Sequence, residues 1–227
     1  MKQTRLWLTT IVVLLCSITV SAYDFEVEGF YYEVNLEEMT ATLVAVDKTI
    51  EKGTFRDSVS LVMATLPRSE TIIEDYVFYN CVANPSFLVQ NTVKEIGEYT
   101  FSFQYENTVS KLTTVTFEET DEQPCQITTI ETGLFKNATK LEMHELPLSI
   151  TRIETMAFEN CKSENFDYFT VSDKVEYIGE TVFRGTDNLT TLTLPFVGRY
   201  NYSYNEEALG SEDLTALPFI DILAYTD

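Results

Sequence analysis

His144 is the only histidine in the 227 residues, so any imidazole chemistry in this chain rests on a single side chain. One histidine excludes a multi-histidine metal site, and Cys16, Cys81, Cys125 and Cys161 lack the close spacing of metal-ligand pairs. They also form no C-x-x-C redox pair. No G-x-S-x-G elbow, phosphate-binding loop or dinucleotide fingerprint occurs. The remaining reactive groups are carboxylates, 36 Asp and Glu in all. A pair of them held at a suitable separation hydrolyses glycosidic bonds, but in so acidic a chain two neighbouring acids arise from composition alone. The run Glu118-Glu119-Thr120-Asp121-Glu122 lacks the alternation and the glycine of a calcium loop, and it reads as a solvated loop. These residues predict no enzyme, no cofactor and no metal. They direct attention to surfaces.

The elements that would build a surface repeat along the chain. Ile50/Phe55, Ile73/Phe78, Ile96/Phe101, Ile130/Phe135, Ile153/Phe158 and Ile178/Phe183 share one five-residue spacing, and the Ile positions lie 23, 23, 34, 23 and 25 residues apart. A period in the low twenties belongs to a solenoid, whose units bury their apolar faces only by stacking. A second phrase, L-x-x-L-x-L, interlocks with the first. It stands clearly at Leu189–Leu194, Leu112–Phe117, Leu61–Leu66, Leu141–Leu146 and Phe166–Val171, and more loosely at Asn84–Val89 and Leu214–Phe219. Its last apolar pair alternates as a strand does. Pro67, Pro147 and Pro195 follow where a ladder can end. Each unit therefore offers two short strands. They are joined through a tight turn in which Asn80, Asn137 and Asn160 stand two residues after the Phe.

The phase of the second phrase selects candidate binding residues. With its apolar positions inward, His144 takes the slot that Leu192, Val115 and Ala64 fill elsewhere, and the x positions form outward columns. From these columns we take Met63, Thr114, Glu142, Met143, Glu145, Asp167, Tyr168, Thr170 and Thr191 as the binding face. Thr suits an exposed strand without further purpose, whereas Tyr and Met are enriched at interfaces. The energetic centre is therefore expected at Tyr168 and Met143, with acids at the rim.

The phrases Ile150-Thr-Arg-Ile153-Glu-Thr-Met-Ala-Phe158-Glu-Asn-Cys161, Val175-Glu-Tyr-Ile178-Gly-Glu-Thr-Val-Phe183 and Leu189-Thr-Thr-Leu-Thr-Leu-Pro195 resemble the BspA-type leucine-rich repeat. Tyr23–Tyr32 followed by Met39–Val44 resembles the hairpin with which such proteins begin, and the likeness covers about residues 23–200. It departs from the pattern at the insertions Gln104–Val109 and Glu118–Cys125, and in a poor second unit. The resemblance implies a β-rich leucine-rich-repeat solenoid with a period of about 23 residues and an N-terminal β-hairpin cap. The expected organisation is a signal peptide at 1–22, the hairpin cap at 23–46, repeats at 47–197 and a degenerate repeat or C-terminal cap at 198–227. It also implies a secreted or cell-surface, non-catalytic protein-binding or adhesion module. Its partner would be a host or matrix protein or another cell-surface protein.

Composition fits that expectation. Lys2 and Arg5, the apolar stretch Leu6–Leu15 and the small-residue end Val20-Ser21-Ala22 read as a signal peptide cleaved before Tyr23, leaving no membrane span. Leu15 stands before Cys16 where a lipidation motif takes a small residue. The net charge of −21 argues against nucleic acid, whose binding is driven by neutralising phosphates; it reads first as keeping a surface protein soluble, with steering of a basic partner as the alternative. Cys81 and Cys161 share one repeat phase three units apart, or about 14 Å at strand spacing. That is too far for a disulfide, so both are expected as buried, unpaired fillers. Asn137-Ala-Thr139, Asn188-Leu-Thr190 and Asn201-Tyr-Ser203 fit the N-glycosylation acceptor pattern. Two alternative functions stay open: a carbohydrate-binding module using Tyr168 with Tyr200, Tyr202 and Tyr204, and a glycan hydrolase with paired carboxylates.

Overall fold

The computed structural model describes residues 30–35, 40–45, 49–58, 61, 70–104, 110–120 and 122–196, and of 30–35 and 40–45 only the backbone. β1 (Phe30–Asn35) and β2 (Thr40–Ala45) pair antiparallel from Phe30↔Ala45 to Asn35↔Thr40. Every later pairing is parallel and joins one turn of a solenoid to the next. The described residues contain no helix.

Two kinds of short strand recur in each turn. The Ile residues end β3 (Thr49–Ile50), β4 (Thr71–Ile73), β6 (Val93–Ile96), β8 (Thr129–Ile130), β9 (Arg152–Ile153) and β11 (Tyr177–Ile178). These strands form two three-stranded sheets, β3-β4-β6 and β8-β9-β11. The leucine phrase supplies β5 (Ser86–Val89), which pairs with β7 (Thr114–Phe117), and β10 (Tyr168–Thr170), which pairs with β12 (Thr191–Thr193). Segment 141–146 lies between these two pairs. Glu142 N–H donates to Thr113 C=O (2.7 Å), and Thr170 N–H donates to His144 C=O (2.8 Å).

Between the Ile strand and the leucine strand the chain turns through an arc whose amides follow a two-beat rule. In the first unit the N–H groups of Gly53, Phe55 and Asp57 donate to the next unit, at Asp75, Val77 and Tyr79. Those of Thr54, Arg56 and Ser58 close turns within the unit. The inter-unit beat continues through Tyr99 to Thr132, Phe135 to Ala157 and Asn160 to Arg184. This answers where the backbone donors of a strand-poor arc go. It also bends the chain into the left-handed region, twice in each unit except the third, where only Tyr99 does so. One column stands three residues after Ile: Gly53, Tyr76, Tyr99, Gly133, Met156 and Thr181. The other stands two residues after Phe: Asp57, Asn80, Asn137, Asn160 and Gly185. Asn and Asp tolerate that conformation best after Gly. The amides also form rungs, since Asn160 Nδ2 donates to Asn137 Oδ1 (2.9 Å) and Asn80 Nδ2 to Asp57 Oδ1 (2.8 Å).

The core is built on two apolar columns, against which the inward residues of the leucine phrase pack. Each Ile and each Phe of the repeat is buried, and the Phe rings stack along the axis. Their centroids run from 5.2 Å (Phe135–Phe158) to 6.0 Å (Phe101–Phe135). Each buried ring stabilises the stack by about 1.5–3 kcal/mol, with roughly 0.5–1.5 kcal/mol more per ring pair. Cys81 and Cys161 occupy equivalent places as buried free thiols, donating to Phe55 C=O and Phe135 C=O of the preceding turns. Burial pushes the Cys81 thiol up to about 12 and that of Cys161 up as well. Cys125 is also buried and free.

Candidate functional site

On the leucine strands the apolar positions point in and the x positions out. Phe87, Val89, Val115, Phe169 and Val171 are buried, while Ser86, Leu88, Thr116, Tyr168, Thr170, Thr191 and Thr193 are exposed and Thr114 is half-buried. Glu142, Glu145 and Asp167 are exposed on the same face. Met63 lies outside the described residues, as do Tyr200, Tyr202 and Tyr204.

The fourth unit departs from the expected frame. Met143 is 6 % exposed and belongs to the core, whereas His144 is only half-buried. The physical reason is that segment 141–146 keeps strand pairing at a single residue, the bridge of Glu145 to Thr170. Without a continuous ladder, the segment buries Leu141, Met143 and Leu146 rather than Leu141, His144 and Leu146. A thioether is cheaper to desolvate than an imidazole. The frame Leu141-x-Met143-x-x-Leu146 was available in the sequence, and the greater apolarity of Met over His was the signal for it.

The expelled imidazole completes the surface. His144 lies flat on Tyr168, with ring centroids 3.9 Å apart and planes 5° from parallel. Its Nδ1 stands 3.0 Å from the Tyr168 carbonyl oxygen. A carbonyl only accepts, so Nδ1 carries the hydrogen. Nε2 of the neutral ring is then the acceptor. Tyr168 is 47 % exposed, so a large aromatic stands on the sheet face, held by its neighbour. Acids surround it: Asp167 and Glu145 are open, and Glu142 Oε1 accepts from Asn165 Nδ2 (2.6 Å). Thr170 and Thr191 flank the pair along the sheet. Leu88 and Leu148 are the other large exposed apolar side chains among the described residues. The structure thus brings together Glu142, Glu145, Asp167, Tyr168, Thr170 and Thr191, adds His144, and removes Met143 to the interior.

The Ile-bearing side carries a different feature, a cleft of about 690 Å³ where β6 faces β8. Glu74, Asp75, Glu95, Glu98 and Glu131 line it beside one cation, Lys94. Burial, together with the charges of Glu154 and Glu98, raises the Glu131 carboxyl above its usual range. No group of three or more His, Cys, Asp or Glu among the described residues is arranged to hold a metal ion. Of the glycosylation sequons, Asn137 is buried with its Nδ2 donating to Phe103 C=O (2.8 Å), which makes it a core amide. Asn188 Nδ2 donates to Lys162 C=O (2.8 Å), and Asn201 lies outside the described residues.

Six copies of the family described as BspA type leucine rich repeat region match the chain, over residues 24–165 and 162–209. Among solved structures the chain is similar to a leucine rich cell surface protein from Faecalibacterium prausnitzii (22% identity, TM-score 0.42, covering 75% of this chain and 42% of that one). It is also similar to the T. pallidum leucine rich repeat protein (18%, 0.40, covering 75% and 81%). A third likeness is to a leucine-rich repeat protein from Bacteroides ovatus (16%, 0.43, covering 75% and 61%). The chain thus spans less than half of the first of these proteins. No curated protein matches the sequence.

Proposed function

This chain belongs to the BspA-type leucine-rich-repeat family, and from that premise we propose that it is a secreted or surface-exposed protein-binding module working through the outer face of its leucine strands. The observation that carries the reading is the His144–Tyr168 stack. An aromatic held rigid by a neighbour enters a complex with little left to order, and such anchors supply most of an interface's energy. Thr114, Thr170 and Thr191 give a flat, extended flank of the kind stacking creates. Glu142, Glu145 and Asp167 form a negative rim that favours a basic partner and raises its on-rate at low salt. The adhesion role, the signal peptide at 1–22 and the caps at both ends are parts of this proposal.

The test is a binding screen of the protein against immobilised matrix proteins and glycans at two salt concentrations, beside Tyr168→Ala/His144→Ala. Loss of protein binding by at least tenfold in the double variant, with slower association at high salt, supports the reading. Protein binding that ignores the substitutions removes the face from consideration. Glycan binding lost in the double variant keeps the face and changes the ligand class to carbohydrate.

A further inference from the structure

The Ile strands are joined at each junction by the same rung, in which the amide after one Ile donates to the carbonyl of the Ile before. Glu74 donates to Ile50 (3.0 Å), Gly97 to Ile73 (2.7 Å), Glu154 to Ile130 (2.8 Å) and Gly179 to Ile153 (2.7 Å). The series predicts a rung from Glu131 N–H to Ile96 C=O, and that rung is missing among the described residues. β6 and β8 accordingly belong to separate sheets.

The cause lies in the sequence, where Ile96 and Ile130 are 34 residues apart rather than 23. The inserted segment props the junction open at one end through side chains. There Gln126 Nε2 donates to Asn91 C=O (2.8 Å), and Asn91 Nδ2 donates to Gln123 C=O (3.3 Å). At the other end the ladder closes again, with Tyr99 N–H donating to Thr132 C=O (3.1 Å). Between these stitches lies the 690 Å³ cleft.

From the split junction we infer a second binding site, distinct from the leucine-strand face: an extended, lysine- or arginine-bearing peptide segment of a partner protein docks between β6 and β8. The orphaned pair sets the backbone requirement. Ile96 C=O asks for a donor and Glu131 N–H asks for an acceptor, and a peptide backbone presents both side by side. A polyamine or a metal ion has no carbonyl to offer Glu131.

The lining sets the side-chain requirement. Five carboxylates face the cleft, while its one cation, Lys94, is drawn to Glu70 (3.0 Å). Lys52 pairs with Asp75 (2.8 Å), but no salt bridge reaches Glu95, Glu98 or Glu131 among the described residues. The raised Glu131 carboxyl reflects its burial and then this crowding. Cationic side chains relieve both the crowding and the desolvation. The inference does not rest on the leucine-strand reading, and either can fail alone.

The experiment titrates the protein with an eight-residue peptide alternating lysine and threonine, a glutamine-for-lysine version of it, spermine and calcium chloride. Binding is read by calorimetry and by hydrogen exchange at the Glu131 amide. Glu98→Gln/Glu131→Gln is compared with Asp173→Asn/Glu176→Gln, which removes the same charge from exposed positions on the loop before β11 and just ahead of it. The expected result is lysine-peptide binding weakened at least tenfold by the first pair and less than twofold by the second. Exchange at Glu131, fast in the free protein, should slow at least tenfold on saturation. Equal weakening by both pairs, an unprotected Glu131 amide, tighter binding of spermine or calcium than of the peptide, or no binding of the lysine peptide would each overturn the inference.

Discussion

Replacing Met143 by Ala tests the frame shift on which the candidate surface depends. Met143 is 6 % exposed and packs in the core, so truncation leaves a cavity costing about 3 kcal/mol, within the range for Met→Ala in cores. For a chain of this size each kcal/mol lowers Tm by about 2–4 °C, which gives a fall of roughly 6–12 °C. The neighbouring changes should be milder. His144→Ala and Tyr168→Ala each lose one stack, worth about 0.5–1.5 kcal/mol, and Tyr168 is already about half in solvent. Thermal unfolding followed by circular dichroism, with urea midpoints as a check on cooperativity, ranks the three. A larger cost for His144→Ala than for Met143→Ala would instead put the imidazole in the core slot.

Further outcomes follow from the stack itself. Phe158→Ala should cost about 3–5 kcal/mol by urea midpoint, because Phe158 stacks on both Phe135 and Phe183. Asn160→Gly keeps the left-handed backbone and loses one amide rung, about 0.5–1.5 kcal/mol. Asn160→Ala adds roughly 1–2 kcal/mol of backbone cost, so equal midpoints for the two variants would contradict the turn assignment. Glu131→Gln should raise Tm at neutral pH. A carboxyl whose folded-state pKa lies above its unfolded value destabilises the fold increasingly as pH rises past the ordinary glutamate value of 4.5. The gain must vanish well below that value, and a gain independent of pH would point to packing instead.

The parts of this fold that were legible in the sequence are those where one residue type satisfies one demand in each turn. Ile153 and Phe158 are wholly buried, as are their counterparts, and nothing but a large apolar side chain serves there. Asn80, Asn137 and Asn160 marked the second left-handed corner because amide side chains tolerate it, and Asp57 and Gly185 fill it elsewhere for the same reason. The first corner was illegible. Tyr76, Tyr99, Met156 and Thr181 carry no preference for positive φ, and the inter-unit ladder imposes it against a local cost of roughly 1–2 kcal/mol each.

The surface was legible where the strand is continuous. Tyr168, Thr170 and Thr191 stand outward as their phase required. At 141–146 the six residues accommodate two frames, and periodicity alone chose the wrong one. The 34-residue spacing revealed an insertion, but which rung would be lost depends on how Gln123 and Gln126 seat against Asn91. That is tertiary information.

Whether ligands are taken on the leucine-strand face is decided by a hydrogen-exchange footprint. The protein is compared free and saturated with whichever matrix protein it captures. Docking on that face slows exchange at 142–145 and 168–170, with little change at 93–98. Protection confined to 198–227 or to the β6–β8 cleft, with the His144–Tyr168 strands unaltered, would contradict it.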